Sequence, residues 1–138
     1  MKRSIDVIEH AGEIMKKVND AVLLTTKKDG QVNAMTISWG GMAIEWGKPL
    51  FITYVRESRF TKEFLDATGE FTVNLPMGEF DKKITAVCGA KSGRDMDKVA
   101  ELDSRWKIPK RLMCRHSRAS PYVGVPRPVQ AGTGSCQP

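Results

Sequence analysis

The densest group of chemically capable side chains in this sequence is Arg56-Glu57-Ser58-Arg59-Phe60-Thr61-Lys62. Two guanidiniums, two hydroxyls and an ammonium fall between a strand-like apolar run, Leu50 to Val55, and a helix-like run, Phe60 to Ala67. The start of a helix leaves its first N–H groups without intrahelical partners and carries the positive end of the helix dipole. A strand-to-helix corner of this composition suits an anion, and the planar fork of arginine matches phosphate oxygens. The same residues also allow a plainer arrangement, with Ser58 as an N-cap and both arginines in solvent.

Three other segments carry polar groups at suggestive positions. In Asn33-Ala34-Met35-Thr36-Ile37-Ser38-Trp39, strand alternation puts Thr36 and Ser38 on one face and Met35, Ile37 and Trp39 on the other. A strand with one buried and one wet face has the same pattern. Asn74 interrupts the apolar residues of Phe71 to Leu75, where it either faces water or meets a ligand. In Cys88-Gly89-Ala90-Lys91-Ser92-Gly93-Arg94-Asp95, two glycines flank a lysine, which permits a backbone that closes on an anion; an ordinary loop between helices fits as well. The order G-x-x-x-x-G-K-[ST] is absent, so this is not a P-loop.

The elements that must position these groups are legible in the pattern. Ile5, Ile8, Gly12, Met15 and Val18 follow helical spacing. Ala21 to Thr26 suits a strand, Lys28-Asp29-Gly30 a tight turn, and Val32 to Trp39 the return strand. Gly40-Gly41 breaks that pattern, and Met42 to Trp46 resumes it before Gly47-Lys48-Pro49 turns into Leu50 to Val55. Gly69 is placed to cap the helix from Phe60, and Phe71 to Leu75 alternates as a half-buried strand. Phe80, Ile84 and Val87 predict a helix with Gly89 just beyond it, and Met96, Val99 and Ala100 predict one more.

Length and composition indicate one globular domain of 138 residues without a membrane-spanning apolar run or a signal region, and a cytoplasmic location is expected. Cys88, Cys114 and Cys136 are odd in number and widely spaced, which argues against a disulfide framework. Cys114 and His116 lack a second ligand pair, so no metal site is expected. Cys88 suits a buried small residue better than a redox thiol, and His10 suits a helix surface. The net charge of +6 is unevenly placed. Residues 1–102 carry 15 basic and 15 acidic side chains, whereas residues 103–138 carry seven basic and one acidic. Five of the seven prolines lie in that tail, which has no phenylalanine and no lasting period.

Together, the four polar segments resemble the flavin reductase-like family of FMN-binding split barrels, the group that includes flavoredoxin. The matching pieces run in order from Asn33–Trp39 through Trp46-Gly47-Lys48-Pro49, Arg56–Thr61 and Gly69–Asn74 to Cys88–Asp95, within residues 5 to 102. The resemblance implies a mainly β fold with peripheral helices, an FMN-binding split β-barrel left incomplete because no C-terminal strands are recognisable. It implies FMN at the barrel edge, commonly at a homodimer interface. By likeness, Arg56, Ser58, Arg59 and Thr61 would bind its phosphate. Met35, Thr36, Ile37, Ser38 and Trp39 would border the ring or ribityl chain, Asn74 would hydrogen-bond the cofactor, and Lys91 would lie close to it.

The implied activity is a flavin reductase-like oxidoreductase passing hydride or electrons through FMN, with NADH or NADPH as donor and no separate catalytic residue. A non-catalytic FMN-binding electron carrier, or an inactive truncated member, is the alternative. A nucleic-acid binder working through residues 105–127 is a third reading, but only Trp106 and Tyr122 lie there to stack on bases, and no specific nucleic acid is expected. The likeness fades after Leu102. The abrupt change to arginine, proline, serine and glycine suggests a frameshift or truncation near residue 103, so the expected organisation is a domain over 1–102 and an atypical tail over 103–138.

Overall fold

The computed structural model describes residues 6–75 and 81–102, together with the backbone pairing of residues 120–121 and 128–131. Ile5, Phe80, Trp106, Cys114, His116 and Tyr122 lie outside the described residues. The first helix, α1 (Ala11–Asn19), leads into β1 (Val22–Lys28) and β2 (Gln31–Ile37), then β3 (Gly40–Glu45) and β4 (Lys48–Tyr54). Helix α2 (Phe60–Thr68) follows, then β5 (Thr72–Asn74), α3 (Lys82–Ala90) and α4 (Lys98–Leu102), with β6 (Ser120–Pro121) and β7 (Pro128–Ala131) in the tail.

All strand pairs are antiparallel and form two sheets, ordered β2-β1-β5 and β3-β4-β7-β6. Among the described residues the architecture is mostly antiparallel strand with a few helices and no closed barrel. Both hairpins turn on two residues with positive φ, Asp29-Gly30 (49° and 83°) and Trp46-Gly47 (50° and 70°). That geometry matches the right-handed twist of the flanking strands and fixes the registers Lys28↔Gln31 and Glu45↔Lys48.

Some elements depart from the sequence pattern. Gly40 and Gly41 do not interrupt a strand but begin β3. A Cβ on Gly40 would lie 2.3 Å from the Ile52 carbonyl oxygen, so the glycine permits the close β3–β4 pairing. Helix α1 begins only at Ala11, leaving Ile8 exposed; the buried stripe becomes Ile14 and Val18, a spacing of four, rather than one running through Gly12 and Met15. Gly89 lies inside α3 rather than beyond it. The tail, which lacks a readable strand pattern, still supplies β7, whose backbone pairs with β4 from Phe51↔Ala131 to Tyr54↔Pro128.

Sheet β2-β1-β5 is covered on both faces. Val22, Leu24, Met35 and Ile37 point into one core with Ile14, Val18, Val55, Leu65 and Phe71. Leu23 and Ala34 point to the other side, where they meet Ile84, Cys88 and Leu102. The pattern of β2 therefore does not mark a wet face, because α3 and α4 lie over it. Thr36 satisfies its hydroxyl there by donating to the Thr85 carbonyl oxygen at 2.6 Å.

Two neighbouring threonines of β1 illustrate how burial prices polarity. Thr25 accepts from Asn74 Nδ2 at 3.0 Å, and its hydroxyl lies 2.7 Å from that of Thr72. Thr26 is equally buried on the opposite face, and its hydroxyl has no hydrogen-bond partner. Removing an unsatisfied buried hydroxyl relieves a desolvation penalty, whereas removing a bonded one strands its partners. Thr26→Val is expected to raise stability to urea unfolding by about 1 kcal/mol, and Thr25→Val to lower it by roughly 1–3 kcal/mol. The opposite ordering in urea titrations would contradict this assignment.

Candidate functional site

The corner between β4 and α2 is built as the sequence indicates, with one shift. The helix cap is Arg59, in extended geometry and without a side-chain capping bond, so Ser58 stands one residue outside the cap. The N–H of Arg59 bonds to the Arg56 carbonyl (3.0 Å) and that of Lys62 to the Arg59 carbonyl (2.8 Å), which sets the turn tightly. The cap residue itself thus leaves the first-turn N–H groups of α2 without a bond from its side chain.

The cationic groups divide by partner. Arg56 is exposed and its guanidinium lies 5.5 Å from the centre of the Trp39 ring, itself 63% exposed. Arg59 turns the other way and donates from Nη1 to the Gly89 carbonyl oxygen at 2.9 Å, at the end of α3. Lys62 is nearly buried between the carboxylates of Asp66 (2.6 Å) and Glu57 (3.6 Å), so its ammonium is neutralised within the corner.

The hydroxyls divide as well. Ser58 is exposed, as is Ser38. Thr61 is only 1% exposed, and its hydroxyl accepts from Asn33 Nδ2 at 2.7 Å. Met35 and Ile37 are core residues. Asn74 belongs to β5, which is separated from β2 by β1, and its amide donates to Thr25 and to the Leu23 carbonyl. Lys91 is exposed at the C-terminal end of α3. The structure therefore brings Trp39, Arg56, Ser58 and Arg59 to one corner, links Thr61 and Thr36 to it through interior bonds, and leaves Asn74 in a separate network.

Sequence reasoning passed over Arg94. Its guanidinium lies 5.2 Å from the Phe60 ring centre, donates from Nη1 to the Ser58 carbonyl oxygen at 3.3 Å, and pairs with Glu63. Its loop is pressed onto α2: a Cβ on Gly93 would lie 2.2 Å from Asn33 Oδ1 and 2.8 Å from the Phe60 ring. The available signal was the loop motif itself, whose second basic residue follows a glycine.

Under the corner, the C-terminal carbonyls of α3 are met by cations, which suits the negative end of the helix dipole. Arg59 takes Gly89, while Lys98 Nζ donates to the carbonyls of Lys91 (3.0 Å) and Cys88 (3.4 Å). Burial pulls Lys98 below the ordinary lysine range; the Cys88 thiol opposes that shift and Arg59 adds to it. Burial pushes the fully buried Cys88 thiol up, against the pull of Lys98. Cys88 is thus a packed neutral thiol. Among the described residues, no group of three or more His, Cys, Asp or Glu could hold a metal, and no helix is long and apolar enough to cross a membrane.

The family model of the flavin reductase like domain matches residues 16–122, running past residue 102 into the basic tail. Among solved structures, the chain is similar to flavoredoxin from Methanosarcina acetivorans, with TM-score 0.62 and 23% identity over 85% of this chain and 66% of that one. It is similar to an FMN-binding protein from Thermus thermophilus with bound p-hydroxybenzaldehyde, with TM-score 0.60 and 16% identity over 83% and 67% of the two chains. Flavoredoxin of Desulfovibrio vulgaris (Miyazaki F) matches with TM-score 0.61 and 17% identity over 80% of this chain and 64% of that one. At such identities the likeness is one of fold, and this chain spans about two thirds of the length of these structures. No curated protein sequence matches it.

The raised thiol has a pH consequence. A folded-state pKa above the unfolded one means that Cys88 favours the fold fully below pH 9.0, its ordinary value, and loses that contribution as pH rises further. Lys98, shifted downward, acts in the opposite sense as pH rises toward 10.5. Cys88→Ala is expected to be less stable than the parent at pH 7, by about 1 kcal/mol for the cavity, and to close that gap as pH rises above 9.0. Urea titrations from pH 7 to 10 check this; a gap that widens with pH would contradict it.

Proposed function

The chain belongs to the flavin reductase like domain family, and from that premise we propose that it binds FMN and acts as an oxidoreductase, with NADH or NADPH as donor. The observation that carries this reading is the corner itself: a helix start whose cap residue, Arg59, makes no side-chain capping bond, beside exposed Arg56, Ser58 and Trp39. A monophosphate terminus fits those donors, since each offers N–H or O–H to an anion and none is an acceptor-only group. Bound FMN would supply hydride and electron transfer.

The chain's own residues would do the holding. Arg56, Ser58, Arg59 and the first-turn N–H groups of α2, including that of Thr61, would take the phosphate. Ser38 and Trp39 would border the ring, and Lys91 would lie near it. Met35, Ile37 and Asn74 would act from beneath, by fixing β2 and β5, because their side chains are already packed or bonded. Thr36 would do the same by tying β2 to α3.

The same reading includes a homodimer in the cytoplasm. Exposed Ile44 on the outer strand β3 and exposed Trp46 in the turn after it support a second copy packing there. The second reading is an FMN-binding electron carrier or inactive member, in line with the flavoredoxins among the similar solved structures. A frameshift near residue 103 remains part of that second reading. The gene is then expected to encode strand-like, family-like sequence in a shifted frame downstream, and its absence from the gene sequence would remove the idea.

Purified protein mixed with FMN and desalted is expected to retain the visible flavin spectrum. Arg56→Gln is expected to weaken FMN binding roughly tenfold while leaving riboflavin binding unchanged. Bleaching by NADH or NADPH would favour the oxidoreductase over the carrier. Protein that retains no flavin from an FMN solution overturns the proposal.

A further inference from the structure

We propose that Arg94 is a phosphate-holding residue of this corner and that Glu63 is its internal competitor, setting how strongly the corner selects a phosphate monoester. The inference rests on the reading that the corner takes FMN. Arg94 does not belong to the strand-to-helix segment. It arrives from the loop after α3, and the packing of Gly93 against Asn33 and Phe60 fixes where that loop lies. Its guanidinium stands over Phe60, the first residue of α2, and one nitrogen reaches the Ser58 carbonyl at 3.3 Å. Arg94 therefore touches the backbone of a residue in the proposed phosphate grip.

Its other nitrogen is held by Glu63, in the first turn of the same helix. The two side chains are 46% and 54% exposed. An ion pair this open contributes little net stability and can exchange partners. A phosphate monoester presents more charge than a carboxylate and offers the arginine fork two oxygens at once. Glu63 also places its negative charge in the first turn, where the field of α2 favours anions, so carboxylate and phosphate compete for one environment. When a phosphate enters, Arg94 would exchange Glu63 for it. A ligand lacking the phosphate neither gains Arg94 nor meets the competition of Glu63, so Arg94 raises the preference for FMN over riboflavin and Glu63 holds that preference down.

The test measures dissociation constants for FMN and riboflavin with the full chain. Glu63→Gln is expected to tighten FMN binding two- to fivefold. Arg94→Gln should weaken it by about tenfold, with Arg94→Lys between that variant and the parent because the charge is kept and the fork lost. Riboflavin affinity should not change in any of them. The gain from Glu63→Gln should vanish in the double variant with Arg94→Gln. Unchanged or weaker FMN binding by Glu63→Gln overturns the competition. Equal losses of FMN and riboflavin in Arg94→Gln, as misfolding would also give, together with parent-like FMN affinity in Arg94→Lys, overturn the phosphate role. A parent chain that binds riboflavin and FMN equally well overturns this inference and leaves flavin binding standing, whereas one that binds neither removes the FMN reading as well.

Discussion

Gly93 lies where a side chain would collide with both Asn33 and Phe60. That contact fastens the loop after α3 to β2 and to the start of α2 at once. Asn33, held against the loop, donates to Thr61 and so ties the strand to the first turn of the helix. Arg94, one residue beyond, is thereby set over Phe60 and against the Ser58 carbonyl. Arg59 completes the circuit by donating to Gly89, the residue before the last of α3. Segments far apart in sequence thus share one small volume, and the cationic corner has its shape because the backbone can approach there without a side chain between.

The electrostatics of the corner follow from that closure. Five cationic side chains lie in or under it, yet Lys62 is neutralised by Asp66 and Glu57, and Arg94 is paired with Glu63. Arg59 and Lys98 are drawn toward the carbonyls that end α3, where the helix dipole favours positive charge. Arg56 is exposed and lies over an exposed tryptophan. Arg59, Lys62 and Lys98 are thus held in place by partners within the fold.

The second sheet is less closed. Strand β3 forms one of its edges, with Ile44 and the almost wholly exposed Trp46 at the hairpin end. β4 gains its other neighbour from the tail through backbone pairing, which asks little of side-chain type. A tail rich in proline and arginine can therefore occupy a strand position without showing a strand's alternation, with Pro128 at the first position of β7, where a missing N–H is tolerated.

Local signals sufficed for much of this molecule. Asp29-Gly30 fixed a hairpin because a two-residue turn needs positive φ at both positions, and Gly69 ended α2 for the same conformational reason. The run from Arg56 to Thr61 marked a strand-to-helix corner, because a change of local pattern belongs to adjacent residues. Other outcomes depended on contacts between distant segments. Thr61 was expected at a phosphate and Thr36 beside the ring or ribityl chain, but their hydroxyls bond within the fold, to Asn33 and to the Thr85 carbonyl. Arg94 was one charge in a loop until Gly93 docked it on the corner. Gly40-Gly41 read as a break, and became a strand because Ile52 lies too close for any side chain at residue 40. Backbone conformation is set by near neighbours and can be read from them; which polar atom finds a partner is set by what the fold brings beside it.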